Sequence, residues 1–163
     1  MSQAELFTQR SPTQELRIEH MAKVRATVRG SERAICPVCG KLDKMYRRKL
    51  GKHQAKAALW LQRHGGWCHV QRKGPKFMVQ DPCWVWLKYW SLIEAQPNDD
   101  PSKSDSGLWR LTAKGDSFAS GLIALPSHAL VYHDEVERYE GDFLTINELV
   151  DVFHYRRLMD GEW

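Results

Sequence analysis

The sequence predicts an α+β fold, and three observations carry the prediction. Segments with helical spacing of apolar residues alternate with short strand-like runs. A Cys-x-x-Cys turn, ICPVCG, stands immediately before a dense basic run broken by a single acid. From Trp84 to Gly121 a helix, a strand, a polar loop, a second strand and a helix follow one another. A chain of 163 residues can bury roughly 70% of its unfolded surface, so a real core is available.

The first helix is expected from Pro12 to Arg29. Ser11 can cap it, Pro12 suits its first position, Gln14 sits where a capping-box partner would, and Gly30 can stop it. Leu16, Met21, Val24 and Val28 make only a thin apolar stripe, which places this helix on the surface. A second helix is expected from Lys44 to His64, since Tyr46, Leu50, Ala57, Ala58 and Leu61 recur at helical spacing and Gly65-Gly66 ends it. Opposite that stripe Lys44, Arg48, Lys52 and Lys56 fall at i, i+4 steps. WCHV then reads as a short strand and QRKGPK as a turn. Residues 81–95 read as a third helix, capped by Asp81 with Pro82 at its first position.

QPNDDPSKSDSG is a polar loop and LWRLT a strand, after which Thr112 can cap a short helix. Strands are expected at residues 121–125 and 129–139, with His133-Asp134 as a possible turn in the second. Thr145 and Glu148 form a capping box ahead of an amphipathic terminal helix carrying Ile146, Leu149, Val150, Phe153 and Leu158.

Charge divides the chain. Residues 1–80 carry 17 Lys plus Arg against 5 Asp plus Glu, whereas residues 81–163 carry 7 against 15. A basic 1–80 segment and an acidic 81–163 segment sharing one core is the expected organisation. Such asymmetry points to a polyanionic partner for the basic part. The longest apolar runs fall well short of the ~20 residues that cross a bilayer, so no membrane partner is expected.

Zinc prefers four thiolate or imidazole ligands, and a Cys-x-x-Cys turn supplies two of them. Cys36 and Cys39 are the first pair. Cys68 and His69 are the next, although neighbours on a strand point to opposite faces, so the fourth ligand is open between Cys68, His64, His53 and Cys83. His20, His128, His133 and His154 stand alone in the sequence. A structural Zn2+ is the expected cofactor.

The segment WVWLKYWSLIEA…GLWRLTAKGDSFASG has the order of the second half of a winged helix-turn-helix domain, with LIE and WRLT pairing as the strands of the wing. Leu92, Ile93, Leu111 and Phe118 would face inward. The expected fold is therefore a winged helix-turn-helix-like domain with an N-terminal zinc-stabilised helical segment. The helix that would enter a groove, PCWVWLKYWSLIEA, carries one Lys and four large aromatics, and the wing holds Asp99, Asp100 and Asp105 against Lys103. Neither suits phosphate. Phosphate contact is instead assigned to Arg33, Lys41, Lys44, Arg47, Arg48, Lys49, Lys52, Lys56, Arg72, Lys73 and Lys76, centred on the basic 41–56 helix. Trp86 and Tyr89, if exposed, are candidates for a protein interface.

The pieces CPVCG with YRRKL, WCHV, YWSLIE, WRLTAKG, ALPSHALVY and FHYRRLM span most of residues 35–159. On these the chain resembles a family of small uncharacterised proteins from phages and their bacterial hosts. The resemblance implies a zinc-linked winged-helix fold, with Cys36, Cys39 and His69 as shared metal candidates and Cys68 and Cys83 as extras; it brings no assigned activity.

The resulting expectation is a phage-type, nucleic-acid-binding regulatory protein, DNA being preferred to RNA. The alternative is a protein-interaction module that inhibits or adapts a host complex. No Gly-rich phosphate loop, nucleophile elbow or carboxylate cluster at metal spacing is present, so an enzyme is not expected. The N-terminus has no apolar segment behind a basic start. A reducing cytoplasmic setting follows, that of the host cell if the chain is phage-encoded.

Overall fold

The computed structural model describes residues 12–26, 33–103, 106–151, 156–158 and 160–163. Among these the fold is α+β, with small antiparallel sheets. No helix among the described residues is long and apolar enough to cross a membrane. Compactness divides the chain into two units. One holds the described residues of Met1–Arg47 with Leu130–Glu137; the other holds Arg48–Ala129 and the described residues of Arg138–Trp163.

In the first unit Pro12 opens α1 (Pro12–Ala26) as expected. The expected cap at Ser11 and the end near Arg29 lie outside the described residues. Leu16 and Ile18 are exposed, while Val24 packs with Met45, Leu130 and Tyr132 in a small core flanked by Met21. β1 (Arg33–Ile35) and β2 (Leu42–Lys44) then pair as an antiparallel hairpin, with Ala34 opposite Asp43 and Ile35 opposite Leu42. The Cys36–Cys39 turn is its tip. There the Cys36 N–H donates to the Lys41 carbonyl at 2.8 Å and the Gly40 N–H to the Cys36 carbonyl at 2.9 Å. Gly40 takes φ +68°, a left-handed conformation that a side chain would strain.

The helix expected from Lys44 is corrected here. Lys44 ends β2, β3 (Tyr46–Lys49) follows, and α2 (Lys52–His64) begins eight residues later than the spacing suggests. Strand pairing and the complete burial of Met45 and Leu50 outweigh the helical periodicity. Gly51 stands in extended conformation (φ −125°, ψ −172°) ahead of α2, and the Gln54 side chain reaches back to accept from its N–H at 3.0 Å. Lys44, Arg48, Lys52 and Lys56 therefore do not share one helical ridge, and no basic helix runs from 41 to 56.

In the second unit α2 buries Ala55, Ala57, Ala58, Leu59 and Leu61. WCHV supplies β4 (Cys68–His69) as expected. The stretch read as a turn forms two short helices, α3 (Val70–Lys73) and α4 (Lys76–Gln80), broken by Gly74-Pro75. The helix expected over 81–95 is a 3₁₀ helix, Pro82–Trp90, followed by β5 (Ile93–Ala95). Trp84, Leu87 and Trp90 are buried at every third position, which is the 3₁₀ repeat rather than the α repeat. Asp81 caps the element by accepting from the Cys83 N–H at 2.9 Å, and Ser91 ends it in left-handed conformation (φ 58°, ψ 33°). Inside it, the Trp90 indole donates to the Pro126 carbonyl at 2.8 Å.

β5 pairs antiparallel with β6 (Leu108–Leu111), Ile93 opposite Leu111 and Ala95 opposite Trp109, so the expected LIE–WRLT pairing is present. β6 also pairs with β4, Cys68 opposite Trp109, giving the order β4-β6-β5. Thr112 caps α5 (Ala113–Ala119), its hydroxyl accepting from the Gly115 N–H at 3.0 Å. Where strands are expected at 121–125 and 129–139, the structure has β7 (Leu125–Tyr132) and β8 (Glu135–Leu144), in a sheet ordered β3-β7-β8. His133 and Asp134 form the expected turn, with φ 49° and 66°, the backbone of a two-residue hairpin turn of type I′.

Glu148 accepts from the Thr145 N–H at 2.7 Å and so caps α6 (Ile146–Leu149). That helix stops after one turn because Val150 is extended. Phe153 lies outside the described residues.

Candidate metal centre

The first unit gathers titratable side chains around one carboxylate. Asp43 projects from the middle of β2, the strand that returns from the Cys36–Cys39 turn. Its Oδ2 accepts from His20 Nε2 at 3.0 Å and from the Tyr132 hydroxyl at 3.2 Å. Its Oδ1 accepts from His133 Nε2 at 2.9 Å. His20 comes from α1, Tyr132 from the end of β7 and His133 from the turn beyond it, so three separate segments converge on a strand of three residues. The His20 and Asp43 side chains are 9% and 12% exposed, whereas His133 is 49% exposed. Burial opposes ionisation of Asp43, but the hydrogen bonds from Tyr132, His133 and His20 outweigh it and hold the carboxyl below its usual range.

Cys36 lies beside this carboxylate. One potential ligand atom from each of His20, Cys36 and Asp43 lies within 4.8 Å of the other two, so the group could hold a metal ion. The backbone N–H groups of Cys39 and Val38 point at the Cys36 sulfur, and Cys39 reaches it with its own side chain. These contacts lower the Cys36 thiol, burial opposing them. A turn that aims amides at its first sulfur is prepared for a thiolate. Cys36, Cys39, Asp43, Tyr132 and His133 line a cavity of about 470 Å³ with Arg17, Lys41 and Leu42.

The other metal candidates read from the sequence all belong to the second unit. Cys68 and His69 sit on β4. Burial raises the Cys68 thiol, Lys73 offsetting this in part. His69 packs its ring against Gly107, where an added Cβ would stand 2.9 Å from Nε2. His53 meets the Asp81 carbonyl at 3.2 Å and His64 the Gly65 carbonyl at 3.0 Å. Cys83 is raised first by its hydrogen bond to Asp81 and then by burial. The structure thus brings Cys36 and Cys39 together, and among the described residues His20 and Asp43 gather with Cys36.

His20 stands alone in the sequence because its partner is 23 residues away on another element. Asp43 carried a signal: it is the one acid within the basic run, where cations and their partners crowd around it.

The residues assigned to phosphate divide between the units. In the first, Lys41 and Arg47 are exposed, and the Lys44 ammonium lies 5.5 Å from the centre of the Tyr46 ring; the Arg33 side chain lies outside the described set. In the second, Lys49, Lys52, Arg72, Lys73 and Lys76 are exposed. Arg48 and Lys56 are half-buried over Trp86 and Phe77, at 4.4 and 4.6 Å from the ring centres. Trp86 is therefore covered on one face by Arg48. Tyr89 is buried, and its carbonyl accepts from the Tyr139 hydroxyl at 2.6 Å. Neither aromatic is an exposed anchor.

Comparison of the chain with family models, with curated proteins and with solved structures yields no match in any of the three.

Proposed function

We propose that the protein is a zinc-stabilised nucleic-acid-binding regulator whose second unit is a winged helix. The observation that carries the reading is the order α2, β4, α3-α4, 3₁₀ helix, β5, β6 with β6 between β4 and β5. A winged helix has this order, its last strand lying between the first strand and the partner that forms the wing. The chemistry supports a polyanionic ligand: Arg48–Gln80 carries eight Lys and Arg and no Asp or Glu. Zinc is the ion favoured by two thiolates with imidazole and carboxylate, and four protein ligands leave it no open position for a reacting water. Its role is then structural rather than catalytic.

The element in the place of a recognition helix does not read bases. Trp84, Leu87, Tyr89 and Trp90 are buried in the unit, and Lys88 lies over the Tyr89 ring at 5.2 Å. Contact therefore falls to phosphate, through the exposed Arg72, Lys73 and Lys76 around the α3–α4 break and through Lys52 at the start of α2. Binding of this kind is weakly selective for sequence.

Fluorescence anisotropy with a random duplex and a random single strand tests the reading across a salt series. Three or four phosphate contacts give a slope of log K against log salt of about −3. Changing Arg72, Lys73 and Lys76 together to Ala should remove most of that slope. Absence of binding at low salt would exclude the reading. It would favour instead an adaptor or inhibitor of a host protein complex, which the exposed Leu122 and Phe143 in the acidic half support at 76% and 68% exposure.

A further inference from the structure

The geometry points to one divalent metal ion bound by His20, Cys36, Cys39 and Asp43, with His133 and Tyr132 as outer partners of the carboxylate. The inference rests on the zinc reading above and names the ligands of that ion. It makes the site a clamp between α1 and the β1–β2 hairpin.

At bond lengths of about 2.0–2.3 Å, tetrahedral ligand atoms stand about 3.3–3.8 Å apart. The atoms offered by His20, Cys36 and Asp43 are already within 4.8 Å of one another. Closing these three takes a contraction of about an ångström, within the reach of small rotamer changes, while Cys39, outside that 4.8 Å group, turns in from its exposed position. His20 Nε2 and Asp43 Oδ2, now 3.0 Å apart, lie nearly at the spacing of two ligands on one ion. Cys39 belongs to the same turn and already reaches the Cys36 sulfur.

Binding replaces protons. The two thiols release theirs to solvent, and the His20 ring carries its remaining proton on Nδ1 when Nε2 takes the metal. Asp43 then gives one oxygen to the ion while Oδ1 keeps the His133 hydrogen bond at 2.9 Å, which fixes the plane of the carboxylate. That is the usual part of an outer partner. Cys68 and His69 take no share.

Cobalt(II) titration of the chelator-treated full chain tests the set, because the sulfur-to-cobalt charge-transfer band scales with the number of thiolates. One equivalent should bind with the intensity of two thiolates and a tetrahedral visible spectrum. Cys36→Ser and Cys39→Ser should each halve the band, and Cys68→Ser should leave it unchanged. His20→Ala and Asp43→Ala should each weaken affinity more than about 100-fold, whereas His133→Ala, as an outer partner, should cost about 10-fold. A reduced band in Cys68→Ser, or a loss in His133→Ala as large as in His20→Ala, overturns the assignment.

A second measurement needs no variant. Alkylation of the wild-type protein, mapped by mass spectrometry, should modify Cys36 and Cys39 only after chelation, with Cys68 and Cys83 labelled alike in both states. A Cys36–Cys39 disulfide insensitive to chelator, or protection of Cys68 by metal, also overturns it. The salt series on the same preparation keeps the outcomes apart: a failed ligand set with an intact salt slope sinks the clamp and leaves nucleic-acid binding standing.

Discussion

Asp43→Ala, made in the metal-free protein, removes the acceptor on which the first unit converges. The His20 and Tyr132 bonds both end on Oδ2, in a site where His20 and Asp43 are 9% and 12% exposed. A hydrogen bond to a charged group is worth about 1.5 kcal/mol at the lower end of its range, so these two contribute about 3 kcal/mol. The His133 bond ends on a ring that is 49% exposed, and solvent reduces it to below about 0.5 kcal/mol. The expected loss is about 3 kcal/mol, most of the stability of a unit this small. With a urea dependence of roughly 1–2 kcal/mol per molar, the midpoint should fall by about 1.5–3 M.

All seven tryptophans belong to the second unit, so the first unit needs a probe of its own. Hydrogen exchange read by mass spectrometry on peptides covering 36–47 and 130–137 supplies it. Tyr132→Phe closes a double-mutant cycle in which a coupling of at least about 0.5 kcal/mol is expected. Unchanged protection in both peptides, or additive effects of the two substitutions, would refute the account of Asp43 as the centre of the cluster.

Further expectations follow from single contacts. Asp43 has a lowered carboxyl, so as pH falls the unfolded chain takes up its proton first; the stabilisation is present above the usual carboxylate range and is lost as pH falls through the lower folded value. The metal-free first unit should lose exchange protection below about pH 4, and Asp43→Asn should flatten that dependence. Gly115→Ala should abolish stable folding of the second unit, since a Cβ there would stand 2.0 Å from the Leu92 carbonyl oxygen; a melting temperature within a few degrees of wild type by circular dichroism would contradict the packing described. Trp90→Ala empties a fully buried site and removes the hydrogen bond to the Pro126 carbonyl, so a loss of about 3–5 kcal/mol is expected in chemical denaturation.

The sequence by itself determined what depends on neighbours along the chain. The Pro12 start of α1, the Thr112 cap of α5, the Thr145–Glu148 capping box and the His133-Asp134 turn are local signals, set by a few adjacent residues, and the paired cysteines of one tight turn are local too; the LIE–WRLT pairing reaches as far as Ile93 to Leu111 but follows from the order of consecutive segments. Tertiary structure decided the rest. Tyr46 and Leu50 have helical spacing, yet burial of Met45 and Leu50 and pairing with distant strands make Leu42–Lys49 two short strands. Trp84, Leu87 and Trp90 have a period of three that becomes visible as a 3₁₀ helix only once their shared buried side is known. The partners of Cys36 are the clearest case. His20 and His133 lie far from it in sequence and gather beside it around Asp43, because a ligand shell is a condition on positions in space and a chain can satisfy it at any separation.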